Sequence, residues 1–288
     1  MQRLRAPFIV SVCIVLLLAW HVVLRDYRGP EEGMLTVVFL DVGQGDAIFI
    51  ESPSGTQVLI DGGKDGGVLR VLSRLLGFFD RDLDMILATH ADTDHVGGLI
   101  DIIENYAVGT IVMTENVSDA SAFRAFKEAA TNESAEIIFT RRGHVYDLGN
   151  GPAGSTTLTI LFPDYDPTSL ETNTASIVAK LTYGETEYLL TGDAPSAIEE
   201  YLVGRDGVLL QSDVLKLGHH GSDTSSSAGF LATVRPRIGI ISAGKDNSYG
   251  HPHQAVLDRL FAENIPYKNT AESGGIISVS DGKEIWFR

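Results

Sequence analysis

Several short apolar runs in this chain end abruptly in side chains of metal-ligand type. The clearest is "DMILATHADTDHVGG", Asp84 to Gly98, where a strand-like run delivers His90, Asp92, Asp94 and His95 in six residues. "YLLTGDA" ends in Asp193, and "VLKLGHHGS" ends in His219 and His220. Residues 90, 92 and 94 cannot all face one way on a regular strand or helix with the neighbour at 95 also used. A loop leaving a strand can wrap them around a point. Two ions can share such a cluster, one on His90 and Asp92, the other on Asp94 and His95. Gly97 and Gly98 allow close backbone approach where a helix begins. At most one of the adjacent His219 and His220 serves the same ion; the other is left as a proton donor or phosphate contact. A chain of this design must fold so that several strand ends meet at one edge.

Composition narrows the ligand chemistry. Cys13 is the single cysteine, which excludes a disulfide framework and a thiolate zinc site. Any metal is held by His, Asp, Glu or Asn. The formal net charge is −16, and the first thirty residues hold Arg3, Arg5, Arg25 and Arg28 against Asp26 alone, so the remainder is more acidic still. Such a body suits cations and is a poor general partner for nucleic acid, which needs clustered Lys and Arg. Lys180, Lys216, Arg235, Arg237 and Lys245 lie near the motifs in sequence and are candidates for a local phosphate track.

The amino end reads differently. Ala6 to Leu24 holds no Asp, Glu, Lys or Arg. A membrane span needs about 20 apolar residues, so residues 1–30 read as one N-terminal transmembrane helix and linker, with a cleaved signal peptide as the rival. Arg3 and Arg5 would stay inside, which predicts a body, residues 31–288, anchored outside the cytoplasm.

That body alternates strand-like and helix-like runs. "LTVVFLDV", "DAIFIES" and "TQVLIDGG" suggest an antiparallel meander. A helix around Gly67 to Phe79, the strand "DMILATH", a helix near Val96 to Asn105, "TIVMT" and the helical "SDASAFRAFKEAATNE" follow. "TTLTILFP", "ASIVAKLTY", "TEYLLTGD" and "DVLKLGHH" then read as strands, with helices near Pro195 to Val203, Ser225 to Val234 and Pro252 to Glu263. "RIGIISAG", "GIISVS" and "EIWFR" close the chain. Two rounds of meander then helices predict an α+β fold, two sheets face to face with helices outside, in four layers.

The ordered set "FLDVGQGDAIFI", "LIDGG", "THADTDHVGGL", "LLTGDA", "LKLGHHGS" and "NSYGHP" resembles the metallo-β-lactamase superfamily, whose first motif is H-x-H-x-D-H. Within it the chain is similar to the hydrolase-like domain of ComEC-type competence proteins, from Leu35 to Arg288. The resemblance implies the αββα sandwich and two divalent ions. By position, His90, Asp92, Asp94 and His95 match the first motif and Asp193 the bridging carboxylate. His219 or His220 matches the late histidine of the second ion, with His219 taken as the ligand and His220 as the proton donor. His251 is left as ligand, proton donor or phosphate contact, and Asp61 as a carboxylate that orients ligands. Asp41, Gln44 and Asp46 of "DVGQGD" either touch substrate or tie a turn, and Ser222 is a further candidate contact.

Two departures matter. Asp92 stands where the superfamily has a second histidine, and the histidine that usually precedes the bridging aspartate has no counterpart, Asn173 being nearest. Both replace nitrogen by oxygen, which shifts preference from zinc towards manganese or magnesium. Manganese and zinc are therefore level as expectations, with magnesium behind. The resemblance implies a phosphodiester hydrolase using a metal-bridged hydroxide, with Asp94 among the catalytic groups and His220 or His251 protonating the leaving oxygen. The leading reading is a membrane-anchored DNA nuclease related to competence. The alternatives are a phosphodiesterase or phosphocholine esterase on envelope or small-molecule substrates, and a non-catalytic metal-binding partner of a separate DNA-uptake channel.

Overall fold

The computed structural model describes residues 33–76 and 80–288. The segment read as an anchor lies outside the described residues, as does the far end of the helix expected to reach Phe79. Among the described residues no helix is long and apolar enough to cross a membrane.

Two mixed sheets form the body. In the first, β1 (Leu35–Phe39), β2 (Ile48–Glu51) and β3 (Gln57–Ile60) run antiparallel, and β4 (Asp82–Leu87), β5 (Ala107–Met113) and β6 (Glu136–Phe139) then add in parallel. In the second, β7 (Val145–Gly151), β8 (Gly154–Phe162), β9 (Val178–Tyr183) and β10 (Thr186–Leu190) are antiparallel, and β11 (Val214–Lys216), β12 (Ile238–Ile241) and β13 (Tyr267–Asn269) add in parallel. Strands β14 (Ile276–Ser280) and β15 (Ile285–Phe287) return to the first sheet, β14 beside β1. Each sheet is thus a meander only in its first half. The change of sense comes where a helix supplies the crossover that parallel neighbours need. Those helices are α1 (Gly67–Leu75), α2 (Thr93–Asn105) and α3 (Ser121–Asn132) on the first sheet, and α4 (Ser196–Asp206), α5 (Ala228–Val234) and α6 (Gln254–Ala262) on the second.

Strand periodicity sorts the core. Val37, Phe39, Ile48, Ile50 and Leu87 pack against Leu158, Leu181, Tyr188 and Val214 between the sheets. The intervening Val38, Phe49, Ile86 and Ile111 face the other way, onto Val68, Leu72, Val96, Leu99 and Phe126 of the first three helices. Leu189, Leu215 and Ile241 do the same for Ile198, Leu202, Phe230 and Leu260. The layers therefore run helices, sheet, sheet, helices. Each fully buried large apolar side chain contributes about 1.5–3 kcal/mol relative to exposure, enough to hold polar groups at the strand ends in costly positions. The carboxyl ends of β3, β4, β10, β11 and β12 open onto one edge, where Asp61, His90, Asp193, His220 and Ser242 follow their strands.

Candidate metal centre

Three histidines meet at this edge, and each has its Nδ1 tied back into the protein. His95, in the first turn of α2, places Nδ1 2.8 Å from Asp61 Oδ2. Asp61 also accepts from the Thr89 amide at 2.8 Å and its hydroxyl at 2.6 Å. Having given its own proton to Asp61, the Thr89 hydroxyl accepts from His90 Nδ1 at 3.0 Å. Asp61 therefore orients His95 directly and His90 through Thr89. It does so from a left-handed backbone, φ 59, a conformation a non-glycine residue holds only when its surroundings impose it.

His220 is fixed from the other side. Its Nδ1 lies 3.0 Å from the Ser242 carbonyl and 3.2 Å from Asp46 Oδ1. The Ser242 carbonyl can only accept, so Nδ1 carries a proton, and Nε2 is the nitrogen that can bind a metal once it gives up its own. His219 and His220 both have positive φ, 49 and 56, which turns two adjacent rings apart. His220 is buried, whereas the His219 side chain is 26 % exposed, with Nδ1 3.1 Å from Thr224 Oγ1.

The three Nε2 atoms converge on Asp193. His95 Nε2 lies 3.2 Å, His220 Nε2 3.3 Å and His90 Nε2 3.9 Å from Asp193 Oδ2, and Asp94 Oδ2 is 3.4 Å from His220 Nε2. Although these separations approach hydrogen-bond range, all three Nε2 atoms and Asp193 Oδ1 are buried without a hydrogen-bond partner. The atoms face a common point rather than one another, as ligands of a shared cation do. One donor atom each from Asp46, His95, Asp193 and His220 lies within 4.8 Å of the others. The donor set of imidazole and carboxylate suits a borderline or hard divalent ion. The carboxylates hold the imidazoles of His95 and His220 protonated far above the usual range, despite burial that opposes it. Burial opposes ionisation of Asp193 and Asp94 too, yet the neighbouring histidines keep both carboxyls well below theirs. The negative charge that attracts these protons is equally available to a metal ion.

The remaining candidates divide. Asp92 is the N-cap residue of α2 but its side chain makes no cap hydrogen bond, and its Oδ2 stands 3.8 Å from His90 Nε2. Burial raises its carboxyl above the usual value. Asn173 turns a buried, unpartnered Oδ1 inward. His219 Nε2 is 3.8 Å from Asp193 Oδ2, farther than His220 Nε2. His251 has its ring 5.6 Å from His219 and 6.2 Å from His220, and burial holds it neutral down to about pH 4. Asp41 accepts from the Gly43 amide and ties the turn, and Ser222 bonds Thr224. Gln44 Oε1 is buried and unpartnered. Asp46 is buried in an ion pair with Lys216, Nζ to Oδ2 2.6 Å. Nothing in the sequence singled out Thr89, Ser242 or the burial of Lys216. Thr89 stood inside the quoted "ATH" and differs from any strand-end threonine only by what folds against it.

The glycines explain how the loops fit so tightly. A Cβ at Gly98 would fall onto the Gly62 carbonyl oxygen, and one at Gly45 onto that of Asp94. Gly62 N donates to His95 O at 2.7 Å and Gly98 N to Gly63 O at 3.0 Å, so α2 begins directly on the backbone that follows Asp61.

A two-sheet sandwich with a His/Asp centre at one edge defines a class, and the chain belongs to the metallo-beta-lactamase superfamily, whose model matches residues 40–245. It is 31% identical over 261 residues to ComE operon protein 3 of Bacillus subtilis, covering 83% of this chain and 32% of that protein. It is 32% identical over 262 residues to competence protein ComA of Neisseria gonorrhoeae, covering 91% and 34%. The chain thus spans about a third of the length of these curated relatives. The crystal structure of the metallo-beta-lactamase fold protein YhfI from Bacillus subtilis superposes with a TM-score of 0.52 at 13% identity, over 82% of this chain and 95% of that one, a likeness of fold.

Proposed function

We propose that the chain is a metal-dependent phosphodiester hydrolase, with DNA as its substrate. The observation that carries the metal-dependent reading is the convergence of three orphaned histidine Nε2 atoms on Asp193, each with Nδ1 locked behind it. Asp94, His95, His220 and Asp193 would hold one ion. His90, Asp92 and Asp193, with Asn173 Oδ1, would hold a second. His220 thereby takes the ligand role that the sequence reading gave to His219. Bound ions supply Lewis acidity towards phosphoryl oxygens and acidify water. The chain's own groups do the rest. Asp61 and Asp46 keep the imidazoles in register, and His251, neutral near pH 7, offers a ring N–H to a substrate oxygen. His219, part-exposed at the rim, would meet the leaving group.

DNA is favoured by the names of the two competence relatives, and the hard donor set suits phosphate oxygens. A second reading, a small-molecule or envelope phosphodiesterase, is favoured by where the cations fall. Lys216 is buried against Asp46, Lys180 is spent on Leu209 O, Gln211 O and Glu187, and Arg235 and Arg237 precede β12, opposite the site. Residues 6–24, read as an anchor, favour a body held outside the cytoplasm, where a separate uptake channel would be its partner. The test is hydrolysis of single- and double-stranded DNA and of a small phosphodiester with manganese, zinc or magnesium, beside the Asp94→Ala, His95→Ala variant. Metal-dependent DNA cleavage lost in the variant supports the nuclease. Turnover of the small ester alone supports the second reading. Metal binding without either leaves a binding protein.

A further inference from the structure

We propose that Tyr249 is a stacking platform for a nucleobase beside the metal centre, so that the preferred substrate is a strand with accessible bases rather than a closed duplex. The inference rests on the phosphodiesterase reading for the identity of the neighbouring centre. Tyr249 is 63% exposed, and its ring lies 5.6 Å from that of His251 at an interplanar angle of 21°. His251 in turn adjoins His219 and His220. Of the exposed aromatic residues among the described ones, Tyr249 alone is stacked on a histidine of the site.

The turn that presents this ring is tied at both ends. Asn247 accepts from the His251 amide at 2.9 Å, and its own amide nitrogen donates to the His251 and Gly244 carbonyls. His253 Nε2 donates to the Tyr249 carbonyl at 3.1 Å, while its Nδ1 accepts from the Asp223 amide. The backbone of Tyr249 is thus fixed while one face of its ring is offered to solvent. A preorganised aromatic face costs little entropy to use, and base stacking is sequence-tolerant because every base has a π-face. Among the five cations considered above, only Lys245 is both exposed and at the carboxyl end of β12, four residues from Tyr249. Lys64 is likewise exposed past the carboxyl end of β3, so a strand would meet phosphate contacts and a stacking face together. In a closed duplex the base faces are already occupied.

The experiment compares binding of the full chain, with manganese present, to two labelled strands of equal length and charge, one oligothymidylate and one abasic. Both carry phosphorothioate linkages that resist cleavage, and binding is read by fluorescence anisotropy. The expected result is about 10-fold tighter binding of the base-bearing strand. Tyr249→Ala removes that preference and Tyr249→Phe keeps it. A preference that survives Tyr249→Ala, or none in the unaltered chain, overturns the inference. Hydrolysis of the unmodified strand is scored separately. Base preference without hydrolysis keeps the platform and sinks the phosphodiesterase reading, and hydrolysis without base preference does the reverse.

Discussion

The ammonium of Lys216 lies 2.6 Å from Asp46 Oδ2, and neither side chain is more than 2% exposed. Lys216 also donates to the Leu217 carbonyl at 2.9 Å, and the other Asp46 oxygen faces His220 Nδ1. Burial works against ionisation of Asp46, but Lys216 and His220 together bring its carboxyl below the usual value. The lysine therefore keeps charged the carboxylate that faces His220, the histidine proposed above as a metal ligand. Removing one member of such a pair leaves an uncompensated buried charge and costs about 3–5 kcal/mol. Lys216→Met should lower stability by that order in urea denaturation. Asp46→Asn, nearly isosteric, leaves Lys216 as the uncompensated charge and should carry a stability cost of the same order; in addition it should weaken metal affinity about 10- to 100-fold, as loss of a ligand's supporting partner does. Unchanged metal affinity in Asp46→Asn would show that Ser242 alone suffices to orient His220.

Two adjacent histidines give a sharper comparison. His220 is buried with Nε2 3.3 Å from Asp193, whereas His219 is part-exposed at 3.8 Å. His220→Ala should lose more manganese or zinc affinity in calorimetry than the 10- to 100-fold expected for a supporting residue, while His219→Ala should keep affinity within a few-fold and act on turnover. Equal losses in the two variants would contradict the division of roles.

Metal removal should destabilise the chain, and the effect should depend on pH. An ion at about 100 times its dissociation constant contributes about 2.7 kcal/mol, so chelation should lower the melting temperature. His95 and His220 have raised folded values without metal. Their contribution to the stability of the metal-free chain is present below the unfolded value of 6.5 and is lost as pH rises through the folded values. A metal must displace those protons, so apparent affinity should climb as pH rises, with protons released on binding. Affinity that stays flat between pH 5.5 and 8 would mean that the imidazoles are already deprotonated.

Much of this centre was legible because its donors follow strands of strong apolar character. "DMILAT" and "YLLT" announce buried strands, and the groups after them have nowhere to go but the edge. Lys216 was not legible. A lysine next to a GHH motif looks like a phosphate contact, and only the arrival of Asp46 from a loop 170 positions earlier buries it. The choice between His219 and His220 was equally out of reach, since it depends on two consecutive left-handed residues that no spacing signals. The missed strands share a cause. β6 is largely exposed and lies at one sheet edge, β7 carries Asp147, Gly149 and Asn150 in an irregular register, and β13 is three residues long. Edge strands bury too little to show the alternation that marks a central strand.

Glu51 offers a test remote from the metal. It lies on β2 opposite Thr36 of β1 and Gln57 of β3. Burial raises its carboxyl to about 7; the weak hydrogen bond from Gln57, at 3.5 Å, opposes this and the charge of Asp80 adds to it. With a folded value above the unfolded 4.5, its contribution is fully present below pH 4.5 and is lost as pH rises to about 7, beyond which the deficit is constant. Glu51→Gln removes the ionisation but keeps the shape and a polar end. The variant should match the unaltered chain near pH 4 and be the more stable one at pH 8, the gap opening between those values in urea denaturation. Because the group is partly exposed, solvent screening makes the gain smaller than a fully buried carboxyl would give. A gap of the same size at pH 4 and pH 8 would assign the effect to packing instead of charge.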